Sequence, residues 1–279
     1  MKTQRVALIG AAGKMGTRIS RSLRDEPAFQ VLCVEGNSAA ETVVRERGDT
    51  VCSIADAVTT SDLVVLAVPD RLIGRIAAEV VPQMPAGAML VCLDPAAPFA
   101  GKIPDREDVA VFVCHPAHPS VFNEETDLAA RFDFFGSGKA RQAIVCALMR
   151  GREEDYQRGE ALATAMWKPV LRSHRVTVEQ MAILEPALSE TVAATCITVI
   201  REALDEAIAL GVPADAARDF LLGHIFCELG ILFERSGFPF SDGAKRAIED
   251  AKRDIFQSDW KKVFAPEAIR RSVAAITGG

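Results

Sequence analysis

A doubly wound parallel Rossmann sheet followed by an all-helical C-terminal domain is the fold class this sequence predicts, and three observations predict it. Short β-branched runs alternate with stretches of helical spacing as far as about residue 174. A glycine-rich turn joins the first such run to the first helical stretch. From Thr177 onward the strand signals vanish and helical spacing takes over. The expected domains are therefore 1–174, which binds a dinucleotide, and 175–279, which is helical.

The runs RVALIG, FQVLCVEG, DLVVLAVP, AMLVCLD and VAVFVCH are apolar almost throughout rather than alternating, which suits strands covered on both faces. Between them, 16–23 and 71–81 have helical spacing and supply crossovers. RQAIVCALM reads as a further strand, EEDYQRGEALATAMW as a helix and PVLRS as a short strand. Thr177 with Gln180 forms a capping box, and the helix it opens persists to Leu210, where Gly211 and Pro213 stop it. A second helix is expected over 214–234; Ser241 caps a third and Pro266 opens a fourth.

With 49% hydrophobic residues, 279 residues are enough for a sizeable core. A net charge of -6 offers no attraction to nucleic acid or to an anionic membrane. Seven cysteines, odd in number and without a CxxC pair, read as small core residues in a reducing cytoplasm. The N-terminus has no long apolar segment with a cleavage signal, and no later run reaches 18 uncharged apolar residues. A cytoplasmic chain that partners neither nucleic acid nor membrane is expected.

ALIGAAGKMGTRIS places Gly10, Gly13 and Gly16 between the first strand and the first helix. Such glycines permit a tight turn and close approach of backbone to a pyrophosphate, whose charge rests on the helix N-terminus. Gly10, Ala12, Gly13, Lys14, Met15 and Gly16 are thus candidate cofactor contacts. The second strand ends in Glu35, a carboxylate that can accept from both ribose hydroxyls and repel a 2′-phosphate, so NAD is expected rather than NADP. Arg45 and Arg47, which could serve a 2′-phosphate, lie too far along to outweigh it. At the end of VLAVPD, Val68, Pro69 and Asp70 should pass beside the adenosine ribose and pyrophosphate.

Two of the four histidines fall in VFVCHPAHPSVF. If VAVFVCH is the last strand of the nucleotide fold, His115 leaves its carboxyl end where the nicotinamide should lie. There it could act as a general base on a substrate hydroxyl, ligate a metal, or cap a loop. For His118 a loop-capping hydrogen bond is favoured. In EQMAILEPALSETV, helical spacing sets Glu185 beside a stripe of Met181, Leu184, Leu188 and Val192, and Pro186 should kink the helix there. Ser189 shares that face, whereas Glu190 points about 140° away. Glu185 reads either as part of a site or as half of a salt bridge to an arginine. One imidazole and one carboxylate, His115 and Glu185, joined by substrate oxygens would suit Zn²⁺, Mg²⁺ or Mn²⁺. His224 is expected in core packing or a subunit contact, where Gly223 and Gly230 leave a smooth strip, and Lys245 and Lys252 on a solvated face.

The nucleotide fold ending in CHPAHPSVF and the second half opening with TVEQMAILEPALSETVAA resemble the 6-phosphogluconate dehydrogenase-like superfamily. His115-Pro116 is similar to the His-Pro element of prephenate dehydrogenases, but AHPSVFN lacks the Met-Phe-Gly that follows it there. GAAGKMG also resembles the opening of dihydrodipicolinate reductases, whose substrate motif is absent. Through GAAGKMG, CHPAHPSVFN and LEPALSE, nearly the whole chain resembles the NAD-dependent acid-sugar oxidoisomerases that act on D-apionate. That resemblance implies hydride transfer from C2 of a 2,3-dihydroxy acid to NAD, then migration of a hydroxymethyl group from C3 to C2, giving 3-oxo-isoapionate and NADH. It also implies His115 and Glu185 as catalytic residues that hold a cation, and a homodimer formed by the helical domain. The other readings are a plain NAD-dependent hydroxy-acid dehydrogenase, with or without decarboxylation, and an NAD-holding redox sensor.

Overall fold

In the computed structural model, residues 3–278 are described. Strands β1 (Gln4–Ile9), β2 (Phe29–Val34), β3 (Leu63–Leu66), β4 (Met89–Cys92), β5 (Ala110–Pro116), β6 (Gln142–Arg150) and β7 (Val170–Arg175) form one sheet in the order β2-β1-β3-β4-β5-β6-β7. Helices α1 (Lys14–Leu23), α2 (Ser38–Glu46), α3 (Ile54–Thr60), α4 (Asp70–Val80), α5 (Ala96–Phe99), α6 (Leu128–Arg131) and α7 (Glu153–Met166) connect them. Strands β1 to β5 are parallel, as expected of a Rossmann sheet. The wholly parallel expectation gives way at β6, which runs antiparallel to β5, while β7 runs parallel to β6. Between β5 and β6 the only helix is the four-residue α6, too little for the crossover a parallel neighbour needs.

The uninterrupted apolar strands have a simple cause. Successive side chains point to opposite faces, and both faces are covered. Ala7, Val64, Leu90, Val111 and Val113 join α4 on one side, whereas Val6, Leu8, Val65, Val91, Phe112 and Cys114 join α1 and α7 on the other. Helix α7 sits tightly on β5 at Gly159, where a Cβ would lie 2.5 Å from the Phe112 ring.

Thr177 and Gln180 make the expected capping box for α8 (Val178–Ala182). The chain then winds as a π-helix over Ile183–Ala194 and continues as α9 (Thr195–Ala209), followed by α10 (Ala214–Leu232), α11 (Asp242–Ile255) and α12 (Pro266–Thr277). The stripe expected as core is buried only at Met181; Leu184 and Leu188 are exposed, because π winding turns less per residue than an α-helix.

Two compact units divide the chain, Met1–Pro186 with Arg270–Gly279, and Ala187–Ile269. The boundary therefore falls beyond the expected 174/175, since Val178 and Met181 are buried in the core of the sheet. In the second unit, large apolar side chains of α9 and α10 face outward, Ile197, Phe220 and Phe226 among them. The run Val178–Ala209 has the length and hydropathy that a membrane span needs, which a count of uncharged residues alone did not register. His224 is exposed rather than in a core, stacked on Phe220 with Nδ1 2.8 Å from the Phe220 carbonyl. Of the cysteines expected in the core, Cys33, Cys92, Cys114 and Cys146 are buried, Cys52 and Cys196 are half-buried and Cys227 is exposed.

Candidate active site

The glycine turn is built as its sequence implies. Gly10 has φ +87°, and a Cβ there would lie 2.3 Å from the Ala67 carbonyl oxygen. At Gly16 a Cβ would lie 2.1 Å from the Gly10 carbonyl oxygen, so no side chain fits where α1 closes on the turn. Gly13 and Lys14 are exposed at the helix N-terminus, where orphan N–H groups can meet a pyrophosphate, with Ala12 and Met15 half-buried beside them. The Lys14 ammonium lies 3.8 Å from the centroid of the Phe135 ring.

Glu35 closes the turn from the side by accepting a short hydrogen bond from the Ala12 N–H. Arg47, set aside on sequence distance, in fact reaches the turn: it donates to the Ala11 carbonyl at 3.1 Å and the Thr17 hydroxyl at 2.6 Å and pairs with Asp49 at 2.9 Å. Held in this way, its guanidinium braces the turn from within and is not free for a 2′-phosphate. Arg45 pairs with Glu41 on the surface.

Parallel register delivers the second part of the site. Cys92 pairs with Val113, and the same offset sets Asp94 level with His115 just past the ends of β4 and β5. His115 Nδ1 lies 2.7 Å from the Leu93 carbonyl, which can only accept, so Nδ1 carries the proton and Nε2 is left as the acceptor. That Nε2 stands 3.9 Å from Glu185 Oε2. One donor atom each from Asp94, His115 and Glu185 all lie within 4.8 Å of one another. Glu185 reaches this place from the π-wound segment, where Pro186 has no N–H to give and crowds the carbonyl four residues back.

Negative charge is concentrated here. Asp94 is pushed up to about 7 by burial, with the Asp70 and Glu185 carboxylates adding to the rise and the Ala96 N–H and His115 opposing it. Burial also raises Asp70, with its own backbone N–H and the nearby His115 opposing the rise, so Asp70 is coupled electrostatically to this cluster. A divalent cation suits such a donor set: two carboxylates, an imidazole with its lone pair free, and a span of about twice the usual ligand distance of roughly 2.0–2.6 Å. Asp94 was not anticipated. The run AMLVCLD contains it, but one acid after a strand carries no spacing that marks a ligand.

Beyond β5 the chain bends sharply. His118 has φ +58°, and its Nδ1 lies 3.0 Å from the Phe135 carbonyl, which also accepts from Arg18 Nη1 at 3.0 Å. Its ring lies edge-on to that of His115 with centroids 6.3 Å apart. Burial lowers the His118 pKa.

Residues 123–277 match the phosphogluconate dehydrogenase (decarboxylating) C-terminal family, and residues 1–126 match the NADPH-binding domain of acetohydroxy acid isomeroreductases. A D-apionate oxidoisomerase of Cupriavidus necator is 47% identical over 98% of this chain and 99% of its own length. One from Blautia hydrogenotrophica is 38% identical over 97% and 96%. Among solved structures, a Cupriavidus necator protein described as a semialdehyde dehydrogenase NAD-binding protein, in complex with calcium and NAD, superposes with a TM-score of 0.96 at 47% identity, covering 99% of this chain and 100% of that one. An archaeal NADH-preferring ketol-acid reductoisomerase, 17% identical with a TM-score of 0.70 over 99% of this chain and 82% of its own, shares the fold.

Proposed function

This chain belongs to the D-apionate oxidoisomerase family, and on that premise we propose how its residues oxidise D-apionate with NAD and rearrange the carbon skeleton to 3-oxo-isoapionate. It is an NAD-dependent oxidoreductase. The observation that carries the mechanism is the convergence of Asp94, His115 and Glu185 at the carboxyl edge of the sheet, the edge from which the glycine turn also leaves.

The exposed N-terminus of α1, with Gly13 and Lys14, receives the pyrophosphate, and Glu35 accepts the adenosine ribose hydroxyls. A 2′-phosphate at Glu35 would meet a carboxylate, so Glu35 decides for NAD even though the family matched by residues 1–126 is an NADPH-binding domain. Bound NAD supplies the hydride acceptor. Asp94, His115 and Glu185 would hold a divalent cation, which would supply Lewis acidity toward the substrate. Calcium in the Cupriavidus necator complex and the two carboxylates and imidazole gathered in this cluster support that assignment.

The protein's own work is then to hold the 2,3-dihydroxy acid so that its C2 hydrogen faces the nicotinamide. Nδ1 donation to the Leu93 carbonyl fixes the His115 ring, and the winding at Pro186 presents Glu185 to it. The relatives named D-apionate oxidoisomerase support migration of a group after oxidation, rather than oxidation alone. We also propose a cytoplasmic homodimer. All seven cysteines are free thiols, and the second unit exposes the apolar helix faces that a second copy would cover.

Product NMR after turnover of D-apionate with NAD tests the reaction: 3-oxo-isoapionate is expected, and an unrearranged skeleton would leave only a hydroxy-acid dehydrogenase. Calorimetric titration with Mn²⁺ tests the cation. Asp94→Asn, His115→Ala and Glu185→Gln should each weaken it on the order of tenfold or more, as loss of a ligand does. Unchanged affinity in all three would remove the cation from the mechanism.

A further inference from the structure

Oxidation of an alcohol releases a proton as well as a hydride. The O–H bond breaks, its electrons form the carbonyl, the C–H electrons leave to NAD as hydride, and the proton needs an acceptor. Within the function proposed above, on which this inference rests, the acceptor cannot be His115. A neutral imidazole has one acceptor nitrogen, and that of His115 is turned into the Asp94–Glu185 cluster, its other nitrogen being committed to the Leu93 carbonyl.

We propose that His118 is the base: its Nε2 accepts the hydroxyl hydrogen of the sugar acid and receives the proton as hydride leaves. Three features of the structure carry this. The Phe135 carbonyl takes the Nδ1 hydrogen, which leaves Nε2 as an acceptor on the opposite side of the ring. The ring lies edge-on to His115 at 6.3 Å between centroids, so a small hydroxy acid on the cation-binding set is within its reach.

The third feature is the backbone. His118 is one of two described non-glycine residues with positive φ, and it is held at +58° on the loop that leaves the strand bearing His115. Several contacts stabilise that conformation. The Phe135 carbonyl also takes Arg18 Nη1, and the Phe135 ring carries the Lys14 ammonium of the cofactor turn at 3.8 Å. A loop cap alone does not require an imidazole: asparagine tolerates this φ and could donate to the same carbonyl, while glycine would relieve the strain.

That difference defines the test. His118→Asn keeps the cap and His118→Gly keeps the backbone conformation, so neither should unfold the loop. Both should lower kcat on the order of 100-fold or more while the affinity for NAD, measured by fluorescence titration, stays within about twofold. Added imidazole should restore His118→Gly by about tenfold and leave the unsubstituted enzyme unchanged. The proposal is overturned if His118→Asn keeps kcat within about threefold, if imidazole fails to restore His118→Gly, or if NAD affinity falls in step with the rate. Failure of the functional reading itself looks different, because then the unsubstituted enzyme forms no 3-oxo-isoapionate.

Discussion

Glu35 is a brace before it is a selector. Its carboxylate accepts from the Ala12 N–H of the glycine turn, and in the function proposed above it also meets the ribose hydroxyls of NAD. Glu35→Ala should therefore cost affinity for NAD and also lift the repulsion of NADP. The ratio of kcat/KM for NAD over NADP should fall at least about tenfold, equivalent to ~1.4 kcal/mol. An unchanged ratio would move selectivity elsewhere. Asp49 works one layer further in, joining Ser20, Arg24 and Arg47 and, through Arg47, the turn itself. Burial pushes its carboxyl up, but hydrogen bonds from those three partners outweigh this and hold it below the ordinary value of 3.8. A depressed native pKa means that this stabilisation is complete above the unfolded value near 3.9 and is lost as pH falls through the lower native one. Asp49→Asn should lower stability by about 2 kcal/mol at neutral pH and flatten its decline below about pH 4, measured by urea unfolding across that range. How legible such residues are depends on their neighbours in sequence. Glu35 and His115 could be read because each ends a recognisable strand, and Glu185 because a proline follows it. Asp94 and Arg47 could not, since the register between β4 and β5 and the return of α2 toward the turn bring them into place, and neither leaves a local pattern.

The long helix that opens the second half shows what a pattern can and cannot convey at the level of an element. Its capping box and its span were legible, and Pro186 marked the irregularity. The winding was not, because a proline removes a hydrogen bond without dictating whether the chain kinks, breaks or widens into a π turn. The outcome matters because Glu185 sits at this spot and faces His115. Pro186→Ala restores an N–H and removes the clash, so the segment should tighten toward α winding and rotate Glu185 out of the cluster. Mn²⁺ affinity should drop about tenfold while the thermal midpoint holds or rises. Retention of full affinity would mean that the winding does not position the carboxylate. β6 gives a parallel lesson: its apolar run declared a strand, but its direction was set by the near-absence of helix in 117–141, which the composition of the run could not reveal.

At the scale of the molecule the second unit stands out for the apolar surface it leaves exposed. Large apolar side chains belong in an interior, yet α10 carries Phe220, Leu222, Phe226 and Leu232 at 57–69% exposure, and Ala217 is its only buried residue. In α9 only Leu204 is buried. Exposed apolar faces of this extent are what a partner's surface would cover, in keeping with the homodimer proposed above. A bilayer is the weaker candidate, because Glu185 and Glu190 interrupt the apolar half of Val178–Ala209 and four charges follow in α9. A second copy presents the same apolar faces and needs no burial of charge, and Gly223, with nothing within 4 Å of where its Cβ would be, lets another helix approach closely. Light scattering should therefore give about twice the 30.0 kDa chain mass. Phe226→Asp should split the particle or leave it aggregated, because it sets a carboxylate against the apolar face of the other copy. A monodisperse 30.0 kDa particle that stays folded would refute the dimer, and recovery of that monomer with lipid vesicles would hand the apolar faces to a membrane instead.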